Sequence, residues 1–318
     1  MCGSGPTGKL VFGKDITPMS HPNGLQSISL ERETYDRAVE VADGFWMIAT
    51  RHRPGFLKMQ PEVNNRCLIF RVHDQKRNES VLVVSNGVDP NVIPEVRRIE
   101  RSTGLRVRTI LSPGGGHHLM MPAWRDEFTD AEVLVCPVRV PATPSAEPLM
   151  RGGRVRAMDL ENPLPEFAGE LEAVIFHGLY GFPDMKSPFE GGKEGFFTPF
   201  KLMKEMMSLH TPGDELWLHH VRTGTVIGGE NLGWILSQKT VKSFPFMMRG
   251  MMRADTVYIN DKARKVSDPE IVSRCWERIL AWPGRTLIGY HEPPGEGFFG
   301  DARAELTQAV KNVGQLLS

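Results

Sequence analysis

The sequence predicts a layered α/β protein, and three observations carry that prediction. Runs of β-favouring residues open the chain's ordered part, in GFWMIATR, NRCLIFRVHD and SVLVVSNGV. Segments with apolar residues three or four apart follow and alternate with further strand-like runs. The alternation continues to the C-terminus, the order expected when helices cover sheets in layers. With 318 residues, 40% hydrophobic and 24% charged, one large domain with extensions is the economical reading.

In chain order, residues 1–24 are rich in Gly, Pro and Ser without a period and are expected to form an N-terminal arm, with the domain spanning 25–318. From Gly44 the three β runs read as a meander opening one sheet. PNVIPEVRRIERSTG reads as a helix with Pro90 near its first turn and Gly104 as its stop. RVRTILSPGGGHH is a strand running into a glycine loop, LMMPAWRDEF a short helix and AEVLVCP another strand. The stretch 138–208 is dense in Pro, Gly and charge and is expected to be a variable insertion, although LEAVIFHGL within it reads as a strand and FFTPFKLMKEMMSL as a helix. DELWLHHVRTGTVIGGENLGW reads as a hairpin turning at Arg222, Thr223 and Gly224. DPEIVSRCWERILAW is the clearest helix, with Asp268 as N-cap, Pro269 at its first position and Ile271, Val272, Cys275, Ile279 and Leu280 on one face. RTLIGYH is a last strand delivering His291, and GDARAELTQAVKNVGQLL closes the chain as a helix capped by Asp301.

Lys plus Arg and Asp plus Glu number 38 each, so no global field draws the protein to nucleic acid or to an anionic membrane, and a small-molecule partner is favoured. The basic stretch Arg97, Arg98, Arg101, Arg106 and Arg108 lacks interleaved aromatics and reads as a solvated face. Cys2, Cys67, Cys136 and Cys275 form no CxxC pair, which predicts a reducing compartment without disulfides. The N-terminus lacks the apolar core of a signal peptide and no window approaches the length of a membrane span, so a cytoplasmic location is expected.

Several of the ten histidines stand where a strand gives way to a loop, the position at which α/β folds place reactive groups. His117 and His118 follow Gly114, Gly115 and Gly116; His210 begins His-Thr-Pro-Gly; Glu230 ends the hairpin's second strand; His291 ends the last strand. Adjacent histidines in a loop are able to turn both imidazoles toward one ion. His219 and His220 fall mid-strand and so face opposite sides of a sheet. His177 ends a strand and is expected to be hydrogen-bonded there or to line the pocket, while His52 and His73 read as loop residues.

These residues resemble the pattern of the metallo-β-lactamase fold superfamily: HxHxDH after a strand, a later HTPG, an Asp after a hairpin strand and a His near the C-terminus. The resemblance spans about Gly44 to the end and implies a four-layer αββα sandwich. Aligning LSPGGGHH to the motif puts Pro113 and Gly115 at its first two histidines, His117 at its aspartate and His118 at its last histidine. His210 fits the HTPG element, Glu230 falls at the bridging aspartate and His291 at the final ligand. Half the motif is missing, so the resemblance implies a divergent branch with one divalent ion, zinc or iron(II). His117, His118, His291 and Glu230 would hold it, with His210 as a fifth ligand or behind the ligands. Glu230 and His117 are then the candidate catalytic residues.

Hydrolysis by metal-activated water is the reaction this implies. A non-haem iron oxygenase on the same fold and a non-catalytic binding protein with a degenerate site stand beside it. Sixteen methionines, clustered in LMKEMM and FPFMMRGMMR and flanked by Phe196, Phe197, Phe244 and Phe246, suggest an apolar substrate wall or a homodimer contact.

Overall fold

A computed structural model describes residues 9–12, 25–52, 63–114, 117–181, 211–229, 231–244, 249, 252–260 and 265–316. The elements, in chain order, are β1 (Lys9–Phe12), β2 (Val39–Ala42), β3 (Phe45–His52), β4 (Val63–Asp74), β5 (Glu79–Ser85), α1 (Ile93–Thr103), β6 (Val107–Ser112), α2 (Met121–Glu127) and β7 (Glu132–Val135). They continue with α3 (Arg139–Ala142), α4 (Glu147–Met150), β8 (Val155–Ala157), β9 (Leu171–Gly181), β10 (Thr211–His220), β11 (Thr225–Ile227) and α5 (Gln238–Ser243). Last come β12 (Lys265–Val266), α6 (Pro269–Leu280), β13 (Thr286–Ile288), β14 (Glu296–Phe299) and α7 (Ala302–Asn312).

Two seven-stranded sheets result, in the orders β2-β3-β4-β5-β6-β7-β8 and β1-β14-β13-β11-β10-β9-β12. The meander β2 to β5 is antiparallel, and β5 to β8 continue parallel. That change needs crossovers, and α1 supplies the first, from β5 to β6. It ends at Gly104, whose φ of 73° is the left-handed cap the sequence predicted. In the second sheet, β10 and β11 form the expected antiparallel hairpin, and β11 pairs parallel with β13 after the crossover through α6.

Side-chain alternation shows how the layers stack. Leu216, Leu218, Ile175, Ile227 and Ile288 join the core shared with the first sheet, whereas their neighbours Trp217, Val174, Phe176, Val226 and Leu287 pack outward against Trp276 and Ile279 of α6 and Leu306 and Val310 of α7. On the first sheet's outer face, Val96 and Ile99 of α1 and Trp124 of α2 complete the same cluster. Burying each such leucine or isoleucine contributes roughly 1.5–3 kcal/mol.

The structure differs from the sequence reading at four places. Lys9–Phe12, inside the expected arm, pairs with β14 as an edge strand. β8 and β9 lie inside the expected insertion at 138–208, yet each is a strand of one of the two sheets, so those parts belong to the sandwich. His52 and His73 are strand residues, because β4 runs twelve residues and pairs along its length with β3 and β5. β14 follows the strand expected to be last. The predicted helix FFTPFKLMKEMMSL lies outside the described residues. Cys67, Cys136 and Cys275 are buried free thiols, and no helix among the described residues is long and apolar enough to cross a membrane.

Candidate metal centre

One end of the sandwich gathers the strand ends that matter. Asn86 follows β5, His117 follows β6, His291 follows β13, and Asn64 lies at the start of β4. Because β4 is antiparallel to β5 and β5 parallel to β6, Asn64, Asn86 and His117 share one edge of the first sheet, and β13 of the second sheet brings His291 to it. The loop after β6 reaches the second sheet through a bridge between Gly114 and Glu215. Gly114 has φ 98°, and a Cβ there would stand 2.6 Å from the Asp214 carbonyl oxygen, so only glycine fits.

His117 and His291 are brought together across this junction, their rings stacked with centroids 5.2 Å apart and planes 23° from parallel. The hydrogen bonds behind them determine which nitrogen carries the proton. Asn86 Nδ2 donates to the Arg66 carbonyl at 2.9 Å, which leaves Asn86 Oδ1 as the atom 2.8 Å from His117 Nδ1. An amide oxygen only accepts, so His117 Nδ1 carries a proton, and in the neutral ring Nε2 is the nitrogen with the lone pair. His291 Nδ1 donates in the same way to the Asn64 carbonyl at 2.8 Å. Both rings are therefore held in one tautomer from behind, the arrangement that orients histidines at metal sites.

Around the pair, Tyr290 lies 5.4 Å from the His117 ring and shares a 2.8 Å hydroxyl hydrogen bond with Ser85. The half-buried Trp234 sits 5.3 Å from the His291 ring, with Phe244 6.0 Å behind it in an apolar cluster with Leu236 and Val241.

His118 takes another direction: it is buried, and its Nε2 meets Ser145 Oγ at 2.8 Å, in the turn Pro144–Ala146. His210 and Glu230 lie outside the described residues, as do Met247 and Met251. The positions flanking Glu230 are nevertheless pinned: a Cβ on Gly229 would stand 2.7 Å from the Glu215 carboxyl carbon, and the Asn231 amide donates to both Glu215 oxygens at 3.0 and 3.1 Å. Asp214 accepts the amides of Val138 and Arg139 at 2.6 and 3.0 Å, while burial pushes its carboxyl above the usual range against the pull of those donors.

His177, His219 and His220 are accounted for by packing and hydrogen bonds. His220 wedges between Phe45 and Phe70 at 5.2 and 5.3 Å, and burial depresses its pKa to about 3, so the ring stays neutral. His219, on the opposite face, bonds Glu172 at 2.8 Å and stacks on Trp282. His177 faces the Ile175 carbonyl at 3.0 Å and the Cys275 thiol at 3.7 Å. Asn64, Asn86, Tyr290 and Trp234 escaped sequence reasoning. The strand-end Asn-Gly after β5 was the available signal for Asn86, but that dipeptide ordinarily marks a turn.

Two imidazoles, each with Nδ1–H anchored and Nε2 basic, are donors that fit a divalent ion such as zinc or iron(II). Among the described residues no group of three or more His, Cys, Asp or Glu side chains is placed to hold one.

Two mixed sheets face to face, with helices outside each and histidine-bearing loops at one edge, make the four-layer αββα arrangement that the resemblance implied. No protein-family model and no curated protein matches the chain. Solved metallo-β-lactamase structures are similar to it. FIM-1 from Pseudomonas aeruginosa in its mono-zinc form is 12% identical, the match covering 91% of this chain and 100% of that one at a TM-score of 0.49. A metallo-β-lactamase from Erythrobacter litoralis is 12% identical over 86% of this chain and 96% of its own, at 0.48. One from Hirschia baltica is 14% identical over 86% and 96%, at 0.43. These likenesses give no residue a role and name no substrate for this chain.

Proposed function

We propose that this chain is a metal-dependent hydrolase with a single-ion site, acting on a small, largely apolar substrate. The observation that carries the reading is the His117–His291 pair, stacked at 5.2 Å with both Nδ1 protons directed to oxygen acceptors behind the rings. His117 and His291 offer Nε2, Glu230 is the carboxylate ligand or base, and His210 is the third imidazole. A bound divalent ion supplies Lewis acidity, polarising a substrate carbonyl and acidifying water.

The chain's own residues do the rest. The carbonyl of Asn64 and the amide oxygen of Asn86 hold each imidazole by Nδ1 and aim Nε2 the other way. Trp234, backed by Phe244, presents an apolar surface beside His291 that favours an aliphatic or aromatic substrate group and excludes bulk water. A small-molecule substrate agrees with the balanced charge of the chain.

The test is elemental analysis of protein purified without added metal, followed by a panel of chromogenic esters, thioesters and lactams assayed before and after chelation. The expected result is about one equivalent of zinc or iron and hydrolysis that chelation removes and the ion restores. Iron with dioxygen consumption and no hydrolysis would replace hydrolysis by oxygen chemistry. Failure to take up either ion would overturn the reading.

A further inference from the structure

Arg66 stands two residues beyond Asn64 on β4, and its side chain is fully buried. Its guanidinium donates Nε and one terminal nitrogen to the two carboxylate oxygens of Glu33, both at 2.9 Å, and the other terminal nitrogen to Glu292 at 2.9 Å. It reaches two main-chain carbonyls as well, Pro293 at 2.9 Å and Glu296 at 2.7 Å. Its peptide unit is engaged too: the amide donates to the Tyr290 carbonyl at 2.8 Å, and the carbonyl accepts from Asn86 Nδ2 at 2.9 Å. Glu292 in turn accepts the amides of Gly289 at 2.9 Å and Ile235 at 3.2 Å.

The consequence is topological. The chain from Gly289 to Glu296 is strapped around one guanidinium with His291 inside the strap, and Asn86, which aims His117, hangs from the same residue's carbonyl. Buried ion pairs are a poor source of stability, because desolvation offsets much of their attraction and apolar replacements often do as well. What the guanidinium adds is a rigid plane of five donors, and here they converge on segments that bracket the histidine pair.

We propose that Arg66 is the positioning residue of the metal centre, setting the orientation of both His117 and His291 from one buried point. The proposal rests on the single-ion reading above. A purely structural Arg66 would lower the melting temperature when replaced, but would not alter ion affinity at a temperature where the variant is fully folded.

The experiment measures zinc affinity by competition with a chromophoric chelator in wild type, Arg66→Met, Arg66→Lys and Glu33→Gln. It also follows the Nδ1–H signals of His117 and His291 by proton–nitrogen NMR in the metal-free proteins. Glu33 hydrogen-bonds Arg66 and the Gly295 amide, so its variant disturbs the guanidinium without replacing it, and carries the test if the Arg66 variants do not fold. The expected result is zinc binding weakened roughly 10- to 100-fold in Arg66→Met, smaller losses in Arg66→Lys and Glu33→Gln, and loss or broadening of both imidazole signals in Arg66→Met. Wild-type affinity and unchanged signals in folded variants would overturn the proposal. A wild-type protein that binds no zinc or iron would instead sink the single-ion reading, while the imidazole signals would still report whether Arg66 positions the rings.

Discussion

Asn86 has φ 71°, a left-handed conformation that asparagine tolerates better than most side chains, and it spends that strained position on holding His117. Its amide also donates to the Leu111 carbonyl at 2.9 Å, so the residue is tied on three sides. Replacing it with glycine removes the side chain while keeping the backbone comfortable. Asn86→Gly is therefore expected to fold and to bind zinc or iron about 10- to 100-fold more weakly, read by chelator competition. Wild-type affinity would show that the tautomer needs no outside acceptor. Gly114 makes the complementary case: a methyl group there meets the Asp214 carbonyl oxygen at 2.6 Å in a conformation with φ 98°. Gly114→Ala should lose on the order of 2–3 kcal/mol in urea denaturation, and a loss within error of zero would mean that the loop readjusts freely.

β10 shows what one strand does with two adjacent histidines. The period of the strand sends His220 inward between two phenylalanines and His219 outward onto Trp282. Because the folded-state pKa of His220 is depressed to about 3 from an ordinary 6.5, the unfolded chain takes up the proton first as pH falls. Its contribution to stability is full above about pH 6.5 and is lost on acidification toward pH 3, by about 1.4 kcal/mol per pH unit inside that window. His220→Phe should flatten this slope when urea denaturation is compared at pH 7 and pH 5; an unchanged slope would mean that other groups set it. α6 begins on Asp268, whose carboxylate accepts the Glu270 and Ile271 amides at 3.1 and 3.0 Å. Asp268→Ala should cost about 1 kcal/mol, and no loss would show the cap to be replaceable by solvent. Such caps, the glycine stop of α1 and the hairpin turn were legible because each uses local chemistry that only a few residue types supply well. β1, β8, β12 and β14 are two to four residues long, too short for a period to declare itself, and they form because a neighbouring strand already offers an edge.

At the scale of the whole molecule, the alternation of strand and helix signals announced α/β layers, the two-sheet sandwich followed only from the family resemblance, and strand-end histidines marked the edge where the sheets meet. The site was legible only in part. His117 and His291 stood out as histidines at strand ends, but their anchors, Asn86 and the Asn64 carbonyl, come from a strand and a turn that carry no catalytic signature. His118 looked equivalent to His117 by adjacency, yet its ring meets Ser145, in the turn between the short helices α3 and α4. Long-range hydrogen bonds such as Asn64 to His291, 227 residues apart, have no local trace. In the proposed site His117 and His291 share one ion. Titrating metal-free protein with cobalt(II) and following its visible absorption tests this most directly, in wild type, His117→Ala and His291→Ala. One equivalent bound by wild type and none bound tightly by either variant is the predicted result; tight binding retained in both variants, or two equivalents in wild type, would contradict it.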